Sequence, residues 1–114
     1  MSNEKDDRWE LGEAIPAAAL IEIQPGGVVS RTVVKKKTGT VTIFAFDAEE
    51  GLSEHTTPFE ALLMSIEGEA EVTISGVQHR VGTGDIIRLP AGEPHGVKAL
   101  SPFKMILTMI REPA

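Results

Sequence analysis

A chain of 114 residues, 41% of them apolar and 25% charged, is long enough for one core that buries about two-thirds of its unfolded surface, and its composition is that of an ordinary globular domain. Cysteine is absent, which excludes disulfides and thiolate metal sites and makes a reducing compartment, the cytoplasm, the expected location. The net charge of −6 is unevenly placed: from Thr38 to His79 there is no Lys or Arg, while Asp47, Glu49, Glu50, Glu54, Glu60, Glu67, Glu69 and Glu71 all lie there, so a nucleic-acid partner is not expected.

Met1 to Arg8 is charged where a secretory signal needs an apolar run, and no apolar stretch approaches the roughly 20 residues of a membrane span. A soluble, unprocessed protein with no membrane partner is the expectation. Residues 1–13 read as a polar lead-in with Trp9 as a packing anchor, and residues 14–114 as a single domain. After Glu13 the chain becomes strand-like. Val28 to Val34 and Thr40 to Phe46 are rich in β-branched and aromatic residues, and the Lys35-Lys36-Lys37-Thr38-Gly39 segment between them reads as a solvated hairpin turn. Ala70 to Ile74 alternates apolar with polar and is followed by Ser75-Gly76, suited to a tight turn, with Val77 to Val81 returning. Ile86 to Leu89, Gly96 to Ala99 and Phe103 to Ile110 complete the series, punctuated by Gly82, Gly84, Pro90, Gly92, Pro94 and Pro102. Short strands at such spacing indicate a sandwich or barrel.

One window reads differently by local rules. Thr57 as N-cap, Pro58 at the first helical position and Glu60 two residues on form a capping box, Phe59, Leu62, Leu63 and Ile66 follow helical spacing, and Gly68 stands as a C-cap. Helix and strand are both open there on local grounds.

Two segments carry a family resemblance. Gly51 to Gly68, with His55, Thr57 and Glu60 inside it, resembles the first cupin motif: histidine, any residue, histidine, three or four residues, glutamate, six residues, glycine. Gly84-Asp85-Ile86-Ile87-Arg88-Leu89-Pro90-Ala91-Gly92-Glu93-Pro94-His95 is similar to the second: glycine, five residues, proline, any residue, glycine, two residues, histidine. The chain thus resembles small single-domain cupins of the conserved-barrel, RmlC-like type. The resemblance implies an all-β jelly-roll barrel, or double-stranded β-helix, in which Ala61 to Ile66 is a strand buried on both faces. It also implies three imidazoles and one carboxylate around a divalent metal, with His95 entering from a neighbouring strand to face the first motif.

This sequence departs from the pattern at two ligand positions. His55 and His95 keep the first and last ligands, Thr57 stands at the second histidine, and the spacing before Gly68 puts Ala61 at the glutamate. In an extended segment Glu60 points to the opposite face from Ala61 and is read as a solvated or interface carboxylate, less suited than the histidines to be a ligand. His79, on a face with Val77 and Val81, is likewise a lesser candidate. His55 and His95 are therefore the candidate metal residues, for a weakly held nickel, zinc, iron or manganese or for none, since two imidazoles bind far more weakly than a full set.

Three readings of function follow. The leading one is a binding module whose barrel pocket takes a small organic ligand, with His55, Thr57, Ala61 and His95 at the site and Phe44, Met64, Met105 and Met109 as wall. The second is a metal-dependent cupin enzyme of the oxygenase, isomerase or lyase type. The absence of tyrosine excludes a tyrosine acid such as the family's sugar epimerases use, and Ala61 weakens an oxygenase. The third is a non-catalytic dimeric sensor, because Ile43 to Phe46 and Leu62 to Ile66 are apolar on both faces and call for a homodimer.

Overall fold

Alternation of buried and exposed side chains decides the architecture, because a period of two commits each segment to a sheet with one face inward. The computed structural model describes residues 12–112. Trp9 and most of the lead-in lie outside the described residues. Among the described residues a 3-10 turn, Ala17–Leu20, precedes the strands β1 (Val28–Lys36), β2 (Gly39–Phe46), β3 (Gly51–His55), β4 (Glu60–Glu67), β5 (Ala70–Ile74), β6 (Val77–Val81), β7 (Ile86–Leu89), β8 (His95–Ala99) and β9 (Phe103–Ile110). They form two antiparallel sheets, one ordered β1-β2-β9-β4-β7 and the other β3-β8-β5-β6. This is the all-β jelly-roll barrel. No helix among the described residues is long and apolar enough to cross a membrane.

The barrel core lies between the sheets. Phe46, Leu63, Leu89, Phe103 and Met105 from the larger sheet meet Ala70, Val72, Val97 and Ala99 from the smaller, all buried. Phe46 stacks between Phe44 and Phe103, with ring centroids 6.0 and 5.6 Å away. A second cluster lies on the outer face of the larger sheet, where residues 15–23 cover Ile43, Ala45 and Ile106. Lys104 Nζ donates to Ala18 O at 2.8 Å and Arg31 to Leu20 O at 3.2 Å, pinning that cover by its backbone. Residues 14–27 are therefore not strand-like as expected from the sequence. They serve as a lid on β2, and the first strand begins only at Val28.

Other local expectations are corrected too. Thr57 to Gly68 contains no helix. Inward Ala61, Leu63 and Ser65 alternate with outward Glu60, Leu62 and Met64, and long-range pairing to β7 and β9 outweighs the local capping pattern. The Thr57 hydroxyl bonds to the backbone N–H and C=O of Phe59 and caps nothing. Gly68, at φ 82, makes a turn so close that a Cβ would stand 2.0 Å from Pro102 O. In the β1–β2 hairpin only Lys37 and Thr38 form the turn, while Lys35 and Lys36 pair within the ladder. Ser75 and Gly76, at φ 48 and 82, form the two-residue turn between β5 and β6 that the dipeptide foretells.

Candidate functional site

The end of the barrel that carries the site follows from connectivity. β3 ends at His55 and leads through residues 56–59 into the start of β4, and β7 ends at Leu89 and leads through residues 90–94 into His95. Both histidines therefore sit at the end marked by the start of β2 and the end of β9, where Thr40, Met109 and Ala61 are register neighbours. His55 pairs directly with His95 across the β3–β8 ladder, after an irregularity between Leu52 and His55.

Their rings meet edge to face with centroids 4.5 Å apart. His95 is buried, at 7% exposure, and His55 is exposed on an edge strand. Each imidazole is held by the backbone two residues earlier: His55 Nδ1–H donates to Ser53 O at 3.0 Å, and His95 Nδ1–H to Glu93 O at 3.2 Å. A carbonyl can only accept, so the Nδ1–H tautomer is selected in both neutral rings and each Nε2 keeps its lone pair for a ligand.

The loop that delivers His95 is tied at several points. Gly92 N–H donates to Thr57 O at 2.8 Å, Ser75 N–H to Pro94 O at 2.8 Å, and the Ser75 hydroxyl to Glu93. Ala91 N–H donates to Glu60 Oε2 at 2.9 Å, and Arg88 donates to Glu60 Oε1. The hydrogen bond from Arg88, then that from Ala91, holds the Glu60 carboxyl below its usual range, and the same contact raises Arg88. Glu60 thus faces outward and stitches the start of β4 to the loop before His95.

The other sequence-derived candidates are dispersed. Ala61 is buried on the inner face at the histidine end, and Thr57 is half-buried in the connecting loop. Met109 is half-buried beside Ala61. Phe44 and Met105 face the interior as register partners, but four residues further along the strands, about 13 Å from the Met109 level, where they pack into the core instead of lining the mouth. Met64 lies on the outer face at 38% exposure, because strand alternation sends it opposite to Leu63. His79 is exposed on β6, with β5 standing between it and β8. No three His, Asp or Glu side chains among the described residues are grouped to hold a metal ion.

The residues present do not fit the four-ligand metal set of the family. Thr57 and Ala61 supply no imidazole or carboxylate at the middle positions, and Glu60 is committed to Arg88 and Ala91 on the other face. What the arrangement offers chemically is a pair of oriented imidazole lone pairs at the rim of an apolar barrel.

Sequence reasoning missed a cavity at the same end, lined by Gly39, Thr40, Phe59, Met109 and Arg111. Its walls come from three separate stretches of chain, and no local pattern marks such a convergence.

A two-sheet jelly roll with a histidine from each conserved motif at one mouth is the architecture of the cupin class. The family model for the cupin domain matches residues 42–110, more than half of the chain, and the protein belongs to the cupin family. Among solved structures it is similar to a conserved protein of unknown function from Streptococcus pyogenes, at 27% identity over 100% of this chain and 96% of that one, with a TM-score of 0.87. It is also similar to a cupin superfamily protein from Desulfitobacterium hafniense, at 23% identity over 98% of both chains with a TM-score of 0.85. A cupin 2 conserved barrel domain protein from Leptotrichia buccalis shares 35% identity over 82% of this chain and 46% of its own, with a TM-score of 0.80. No curated protein matches.

Proposed function

We propose that the protein is a cytoplasmic binding module that takes a small organic ligand at the barrel mouth, with His55 and His95 as its polar contacts and Thr57, Ala61 and Met109 around them. The observation that carries this reading is the histidine pair, 4.5 Å apart, with both Nδ1 atoms tied back and both Nε2 atoms left for a ligand. A non-metal ligand is favoured over a metal-dependent reaction because only two of the four family ligands are present. The test is a thermal-shift screen of small organic compounds with and without divalent metals, on the parent and on His95→Ala. The reading expects at least one compound to raise the melting temperature by several degrees without metal, and the effect to vanish in the variant. Shifts that require added metal would move the enzyme reading ahead.

The module is further proposed to act as a homodimer. Leu62, Met64, Ile86 and Ile110 stand 38–60% exposed on the outer face of the larger sheet, beyond the cover provided by residues 15–23. Arg31, Arg88 and Lys104 share that face with Glu60 and Glu67, the latter the cross-strand partner of Lys104 and 3.8 Å from its Nζ. Near-balanced charge there lets two copies of a −6 chain approach. Light scattering should give twice the 12.2 kDa of one chain, and Leu62→Glu should halve that mass; a parent mass of 12.2 kDa at all concentrations refutes the dimer.

A further inference from the structure

The cavity at the barrel mouth has a chemistry of its own. It measures about 160 Å³ and opens to solvent between the start of β2, the segment before β4 and the end of β9. Thr40 and Met109 face it as register partners, and Phe59 supplies an aromatic wall. A cavity of about 150 Å³ with apolar walls accepts a body the size of benzene.

At its rim stands Arg111, fixed at three points. Its backbone N–H donates to Thr38 O at 2.9 Å, its Nε–H donates to Lys37 O at 2.6 Å, and its guanidinium carbon lies 5.3 Å from the centre of the Phe59 ring. With Nε–H committed to a carbonyl and the plane held over the ring, the two terminal nitrogens keep their donors for another partner. Among the described residues no carboxylate is within ion-pair distance of Arg111. The acid opposite the end of β9, Glu60, is already engaged by Arg88 and Ala91. A pre-oriented guanidinium on an apolar cavity, with no carboxylate partner among the described residues, in a chain of net charge −6, is a complement for one negative group attached to an apolar body.

We infer that this cavity binds a small carboxylate with an apolar body of about six carbons, its carboxylate on Arg111 and its body between Phe59 and Met109. One cation and one neutral hydroxyl, Thr40, match a monoanionic carboxylate; a phosphate dianion would need more donors than the lining supplies. The inference rests on the barrel-mouth reading above only in that a small molecule enters at this end, and Phe59 joins the two regions through the bonds between its backbone and Thr57.

Titration with benzoate and with its neutral isostere benzamide, followed by backbone amide shifts and calorimetry, tests it. Benzoate should bind with shifts centred on Gly39, Thr40 and Arg111, and benzamide at least tenfold more weakly. Arg111→Gln should abolish that preference, Arg111→Lys should reduce it in part because the charge stays but the planar fork is lost, and Arg80→Gln should leave it intact, since Arg80, on β6, pairs with Glu69 in the turn between β4 and β5. Equal affinity for the two compounds, a benzoate preference that survives Arg111→Gln, or no benzoate binding up to its solubility would each overturn the inference. Its failure is separable from that of the histidine reading. Neutral ligands lost in His95→Ala, without any benzoate preference, defeat the carboxylate class alone, whereas benzoate binding at Arg111 with no ligand sensitive to His95→Ala defeats the histidine reading alone.

Discussion

Replacing Thr57 with His and Ala61 with Glu together is expected to raise affinity for zinc or nickel by about two orders of magnitude or more over the parent. The expectation comes from position. Ala61 is buried on the inner face of β4 at the histidine end, Thr57 lies in the loop two residues after His55, and His55 and His95 already meet. A carboxylate grown from Ala61 and an imidazole from Thr57 would complete three nitrogens and one oxygen around one point. Without metal the carboxyl introduced by Ala61→Glu is a buried acid with no partner, so the variant should melt below the parent and recover when metal is added, by the mass-action gain of a ligand that binds only the folded state. Calorimetry on chelator-treated protein measures the affinity. Glu60→Gln, which removes the outward charge and keeps an acceptor for Ala91, should leave the parent's two-histidine affinity unchanged. If the double variant gains nothing, Thr57 and Ala61 do not face the histidines.

Gly51→Ala should cost about 3 kcal/mol and lower the melting temperature by roughly 10–20 °C. A Cβ on Gly51 would lie 2.2 Å from Val97 O and 3.2 Å from Lys98 Cα, both backbone atoms of β8, so the strand itself has to move. β3 is an edge strand held by β8 alone, and the ladder between them is the one that sets His55 beside His95. The substitution should therefore also separate the two imidazoles, visible as loss of their ring-to-ring contact by NMR. Gly27→Ala is the control: the added methyl would meet only ordinary contacts, the nearest at 3.8 Å, and the change should stay within about 0.5 kcal/mol. Equal melting points for the two variants would contradict the close approach of β3 to β8.

Much of the fold is legible in the sequence, for identifiable reasons. The β-branched runs of β1 and β2, the alternation in β5 and the Ser75-Gly76 turn are short-range signals that the tertiary structure does not oppose. The window at β4 is the opposite case. Its capping residues and apolar spacing fit a helix, and only two partner strands make it extended, which is why the motif resemblance is needed to read it. Residues 14–27 mislead because Ile15, Leu20, Ile21 and Ile23 are apolar for a reason unrelated to a ladder: they cover the outer face of β2. At the candidate site, the separation of Glu60 from Ala61 follows from the period of two and is readable. The face taken by Met64 is readable in the same way, since a residue three positions from Ala61 in a strand points to the opposite side, whereas the depth of Phe44 and Met105 depends on register, which composition does not encode. Arg111 is invisible because its importance arises from Phe59, 52 positions earlier, lying beneath it.

The central claim is that β3 and β8 bring His55 and His95 together with their Nδ1 protons tied to backbone carbonyls. Long-range nitrogen–proton correlation spectra of the imidazoles, taken well above the usual histidine range, together with ring-to-ring nuclear Overhauser contacts, test it most directly. The account predicts the Nδ1–H tautomer for both His55 and His95, a contact between their rings, and none from either ring to His79. Nε2–H tautomers, or rings with no mutual contact, would contradict it.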